Sequence, residues 1–146
     1  MDYDKKLNSL RKFDEKDKAG FIYTYYHWLA YQLVAKKLGV WKWRYLTHDV
    51  EKPFLKILLG LQSMRKWHKH NRKHHLFYGR KHGVENIDYD AAVIDWEASR
   101  YTKNAAPYNA REEAGIIIAN ENNKYTKEEI EVFKEKIYKS LDKLGL

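Results

Sequence analysis

The chain has 146 residues, with 28 Lys plus Arg against 20 Asp plus Glu and no cysteine. That length predicts one domain able to bury a core unaided, and the missing cysteine excludes a disulfide scaffold, a zinc–thiolate site, a cysteine nucleophile and an iron–sulfur cluster. The net charge of +8 favours anionic partners.

The elements read as helices throughout, because apolar residues recur at three- and four-residue spacing and alternating β-branched runs are scarce. A first helix is predicted over Gly20–Leu38, where Phe21, Tyr25, Trp28, Leu29, Gln32 and Leu33 keep that spacing and Gly39 is a plausible stop. A second helical region runs over Trp41–Leu61, with Pro53 suited to the first turn of a new helix. A third spans Ser63–Tyr78 and ends at Gly79, and a fourth runs from Asp88, a good N-cap, to Tyr101. A fifth follows Pro107 through Asn120. The last, within residues 125–146, begins at Thr126, where Thr126 and Glu129 have capping-box spacing and Ile130, Phe133, Ile137, Leu141 and Leu144 form one stripe for packing. The expectation is an all-α single domain, a bundle of about six helices. No apolar run approaches the roughly 20 residues that span a bilayer. The charged start is unlike a secretory signal, so a cytoplasmic chain with no membrane partner is expected.

Chemistry concentrates in histidine and aspartate. His27 lies on an aromatic-rich helix, His48 and Asp49 are adjacent, and Asp95 interrupts the apolar run AAVIDW. A carboxylate on a packed face needs a cation or donor to compensate its desolvation. Between these lies Arg65–Lys81, with seven Lys or Arg, four His and no acid. On one continuous helix, Trp67, His70, His74 and Phe77 would share a face, so His70 and His74 are expected to point inward and His68 and His75 to lie on a neighbouring face. Two such imidazoles can serve one divalent ion or one each of a close pair. A register shift of one residue would present His75 in place of His74. Candidate metal ligands are therefore His27, His48, Asp49, His70, His74 and Asp95. Asp49 and His75 are also candidate catalytic groups, as is Lys52, which falls one turn after Asp49 if that segment is helical and could hold a phosphate oxygen.

The order His27, His48-Asp49, Asp95 resembles the H…HD…D signature of the HD-domain metal-dependent phosphohydrolase superfamily, and His48-Asp49-Val50-Glu51-Lys52 looks like its HDxxK element. The resemblance implies an HD-domain-like helical bundle. The additional histidines resemble the two-metal branch, which includes HD-GYP phosphodiesterases and HD-type di-iron oxygenases. A closer resemblance, over roughly residues 20–120, is to small HD-like proteins of bacteria and bacteriophages. It rests on His70-Asn71-Arg72-Lys73-His74-His75 and Asp95-Trp96-Glu97-Ala98. Two departures stand out: Asp95 follows His75 by only 20 positions, and no Gly-Tyr-Pro motif is present.

Three functions follow as expectations. The leading one is hydrolysis of an anionic small molecule, a nucleotide or other phosphoester, with one or two divalent ions (Mn, Fe, Zn or Mg) that lower the pKa of a bound water. The second is a di-iron oxygenase on the same ligands, which the all-N/O donor set also suits. The third is non-catalytic nucleic-acid binding by residues 65–81, where Trp67, Phe77 and Tyr78 could stack on bases.

Overall fold

The computed structural model describes residues 1–17, 20–122 and 124–146. Among them are eight α-helices: α1 (Tyr3–Asn8), α2 (Phe21–Lys37), α3 (Lys52–Leu59), α4 (Leu61–Asn71), α5 (Leu76–His82), α6 (Tyr89–Ser99), α7 (Ala110–Glu121) and α8 (Lys127–Leu144). Short 3₁₀ turns cover Glu15–Asp17, Trp43–Thr47 and Val84–Asn86. No strand occurs among the described residues. An isolated bridge between Phe13 and Lys103 ties the N-terminal segment to the end of α6. The all-α expectation holds, and the bundle has more and shorter helices than the periodicity predicts.

α6 is the axis of the fold. Ala92, Val93, Ile94 and Ala98 are wholly buried, and their small or branched side chains let α2, α7 and α8 pack against different sides of it. Asp88 caps its start by accepting from the Ala91 N–H at 3.2 Å, as expected of an N-cap. α8 buries the expected stripe of Ile130, Phe133, Ile137, Leu141 and Leu144, and Thr126 accepts from the Glu129 N–H at its start. A reciprocal capping box closes α7, between Asn109 and Glu112. α1 lies outside the predicted elements. Asp2 caps it, accepting from the Lys5 N–H at 3.0 Å, and Leu7 anchors it in the core.

Two predicted helices break where the functional side chains sit. The region Trp41–Leu61 is a 3₁₀ turn, then a non-helical link through His48 and Asp49, then α3 with Pro53 in its first turn. The helix predicted over Ser63–Tyr78 is two. α4 ends at Asn71, Arg72 is extended (φ −101°, ψ 123°), and α5 starts after the extended His75. Polar contacts hold this corner: Glu51 takes both His68 and Arg72, and the Asp88 N–H donates to the Lys73 carbonyl at 2.8 Å. Gly79, expected as a stop, lies inside α5. A Cβ there would sit 2.6 Å from Ile87 Cδ1, so glycine allows a close packing approach.

Candidate metal centre

Three elements converge on the buried centre. His27 projects from the middle of α2 and stacks on Tyr23 one turn earlier, with rings 13° from parallel. His48 follows the 3₁₀ turn. Two α2 side chains hold that turn, because Trp28 Nε1 donates to the Leu46 carbonyl at 2.8 Å and Gln32 Nε2 donates to the Tyr45 carbonyl at 2.6 Å. The His48 ring stacks on Tyr31 at 3.8 Å. Asp95 arrives from α6. Asp49 takes a left-handed backbone, φ 57°, a conformation uncommon outside glycine that Asp and Asn tolerate best. It is the non-glycine residue with positive φ among those described, and it sits at the heart of the cluster, where such conformations concentrate in functional sites.

The ligand atoms lie close together. His27 Nε2 and His48 Nε2 are 3.2 Å apart, and Asp95 Oδ1 is 2.8 Å from the first and 3.0 Å from the second. Asp49 Oδ2 lies 3.7 Å and 3.5 Å from the same two nitrogens. For metal–ligand bonds of about 2.1 Å, neighbouring ligand atoms in octahedral or tetrahedral sites stand about 3.0–3.4 Å apart. The cluster has nearly those edges.

A second group faces it. His68 Nε2 lies 3.0 Å, and His74 Nε2 3.4 Å, from Asp49 Oδ1. His75 joins these two within mutual ligating distance. Asp49 thus directs one oxygen at each group. The Nε2 atoms of His74 and His75 are buried with no hydrogen-bond partner, a costly arrangement unless a cation draws on their lone pairs, while His68 Nε2 faces Asp49 Oδ1. Glu51 accepts from His68 Nδ1 at 2.7 Å. That contact fixes which nitrogen faces Asp49, the outer-shell pattern typical of metal-ligating histidines. The residues fit one divalent ion in the first group and a second beside it.

The electrostatics of His27, His48, His75, Asp49 and Asp95 suit ligation. Burial pulls His27 down, draws His48 down to about 4 and holds His75 well below the ordinary histidine value, so these imidazoles stay neutral and able to ligate. Burial would raise Asp49, but His48, Lys52 and His68 outweigh it and hold the carboxyl well below its usual range. Burial likewise opposes Asp95, which His27 and His48 keep ionised. His68 goes the other way: burial would lower it, yet Asp49 and Glu51 raise it.

The structure brings together His27, His48, Asp49, Asp95, His74 and His75 of the expected set, and places Lys52 beside them, its Nζ 2.5 Å from Asp49 Oδ2. Lys52 gets there from the first turn of α3 across a tight link, rather than along a helix from Asp49. His70 is the exception. It points away from both groups, half-buried and edge-on to Phe77 at 5.6 Å. Helical register cannot carry from His70 to His74 because α4 ends at Asn71. The inward histidine of α4 is His68, one turn after the buried Met64, and that Met64–His68 spacing was the available signal for it. Glu51 was also legible inside the His48–Lys52 element, though its partner was not.

A cavity of about 300 Å³ opens beside the second group, walled by Lys52, Arg65, Lys69 and Lys103 together with His68 and His75, with Glu15, Tyr23 and Met64 completing the lining. Another of about 280 Å³ meets it at Lys69, His75 and Lys103 and reaches Asp95, Phe77 and Trp96. Comparison with protein-family models, curated proteins and solved structures finds no match.

Proposed function

We propose that the protein is a metal-dependent phosphohydrolase of HD-domain type that cleaves a nucleotide or similar phosphoester with two divalent ions. The observation that carries this reading is the Asp49 carboxylate, which offers Oδ2 to the His27–His48–Asp95 group and Oδ1 to His68 and His74. When bound, such ions polarise a phosphoryl oxygen and lower the pKa of water. The chain's own residues would do the rest. Lys52, Arg65, Lys69 and Lys103 supply cations for the phosphate from the cavity wall. His75, on the wall shared by both cavities, is placed to exchange a proton with the attacking or leaving oxygen. Trp96 and Ile117 in the adjoining cavity offer apolar surface to the organic part of the substrate.

The test starts with elemental analysis of protein purified without chelator or polyhistidine tag. Nucleotides and phosphoesters are then assayed with manganese, iron, magnesium or zinc. Lys52→Ala should keep the metal and lose about a hundredfold or more in rate. Absence of turnover across the panel, or an unimpaired Lys52→Ala, would defeat the reading. The donor set, nitrogen and oxygen only, suits iron equally; a mixed-valent iron pair without hydrolysis would favour the oxygenase. Nucleic-acid binding is the weakest of the three. The Phe77 ring carries Lys69, Arg80 and Lys124 at 4.6–5.3 Å and Tyr78 stacks on His82 at 4.1 Å, which leaves little free ring face for bases.

A further inference from the structure

The amphipathic pattern of α3 is turned outward. Phe54, Ile57, Leu58 and Leu59 are 59, 70, 76 and 50% exposed, and Pro53 is the buried residue of the helix. The patch continues on both sides. Phe54 packs edge-on against exposed Phe21 at 5.3 Å, beside Ile22 and Tyr25 on α2, which are 61 and 57% exposed. At the other end Leu59 and Trp67 line a common hollow with Lys66 and Lys81. So much contiguous apolar surface on a chain of this size marks a contact surface.

Charge selects the occupant. From Lys52 to Val84 the chain carries nine Lys or Arg and no acid. Of these, Lys56 on α3 and Lys66 and Lys81 at the hollow lie at the patch, whereas Lys52, Arg72 and Arg80 pair with Asp49, Glu51 and Glu121; a second copy docked on the same face would set the three patch lysines against their own counterparts. An anionic surface would complement them. Ile57 and Leu58 project from a helix rather than line a groove, and projecting aliphatics flanked by tryptophan and lysine suit the boundary between headgroups and acyl chains. That no described helix is long and apolar enough to cross a membrane bears on spanning, not on lying at a surface.

We propose that α3 and the start of α4 dock the protein on an anionic lipid surface, with Phe54, Ile57, Leu58 and Leu59 entering the headgroup boundary and Lys56, Lys66 and neighbouring cations meeting lipid phosphates and carboxylates. The docked face would adjoin the metal centre, because Lys52 at one end touches Asp49 and α3 is only about 12 Å long. The inference does not depend on the hydrolase reading.

Co-sedimentation of the full chain with vesicles of phosphatidylcholine alone, or of phosphatidylcholine with about one third phosphatidylserine, tests it. Binding is expected to the mixed vesicles only, weakening about tenfold or more as salt rises from low to above physiological strength. Ile57→Ser combined with Leu58→Ser should lower binding roughly tenfold or more while leaving the thermal midpoint and metal content at parent values, since both side chains are already in water. Lack of binding to the mixed vesicles, equal binding to phosphatidylcholine alone, or full binding by the double variant would each overturn the proposal. So would a dimer in light scattering that the double variant converts to monomer, which would assign the patch to a second copy.

Discussion

α8 and α3 carry the same sequence signature and meet opposite fates. Both are amphipathic; α8 buries its whole stripe against the axis of the fold, while α3 holds its apolar side chains in solvent. The difference is in what each helix is offered. α8 lies along α6, whose alanines and branched residues accept it, and polar contacts seat it, with Ser140 Oγ donating to Asp90 Oδ1 at 2.7 Å and Lys143 Nζ to Oδ2 at 2.5 Å. α3 is fixed at one end by the link through Asp49 and along its length by α4; on its outer face Phe54 meets Phe21 of α2, while Ile57 and Leu58 stay in solvent. A stripe states that a helix has something to cover, not that the domain itself supplies the cover.

Substitutions on the two helices should have opposite consequences. The largest effect expected is at Ile137, fully buried on α8: Ile137→Ala should cost about 2–5 kcal/mol of unfolding free energy, measured by urea denaturation. The same method should find Leu58→Ala on α3 within about 0.5 kcal/mol of the parent. A cost at Leu58 approaching that at Ile137 would mean α3 is covered in solution.

Next comes the corner that α4 shares with α3. Alanine at His68 should lower metal affinity by more than the roughly 10–100-fold that loss of an outer-shell partner costs, whereas alanine at His70 should leave metal content unchanged. Elemental analysis after dialysis against a weak chelator separates the two, and equal losses would reverse the assignment of the inward histidine. Asp49→Asn keeps a residue that tolerates the left-handed backbone but removes the charge facing both groups, so stoichiometry should fall for both ions together. Loss of only one would show that Asp49 does not join them.

The smallest effect concerns how α8 is seated. Lys143 and Ser140 outweigh the burial that would raise Asp90, and hold its carboxyl below the ordinary value of 3.8. The folded state therefore binds its proton more weakly than the unfolded state, so the pair stabilises the fold above pH 3.8 and its contribution is lost as pH falls through the lower folded value. Asp90→Asn should cost about 1 kcal/mol at pH 7, and the gap to the parent should close below pH 3.8. A gap that persists into acid would mean packing, not charge, is at stake.

How much of the centre was legible depended on whether a residue's geometry was local. His27 and Asp95 sit in long helices whose periodicity is sound, and their inward orientation followed from their neighbours. His48 and Asp49 were legible as an adjacent pair, but their positioning relies on Trp28 and Gln32 reaching across from α2, contacts separated by 18 and 13 positions in sequence. The histidines of the basic segment were misplaced because one helix was read where two meet. The corner at Arg72 has no proline or glycine to announce it; it exists because Glu51, 21 residues earlier, takes Arg72 and His68 together.

The helical class, the buried stripe of α8, the cap of α6 and the choice of histidine and aspartate as the chemically active residues were readable from the chain alone, because each is written in spacing along one helix or in residue type. That Asp49 stands between two histidine groups, that His68 and not His70 faces it, and that Ile57 and Leu58 of α3 stay in solvent emerged from the packed fold. Those outcomes depend on where separate segments meet, and the ion pairs and packing that set the meeting points join residues far apart in the chain.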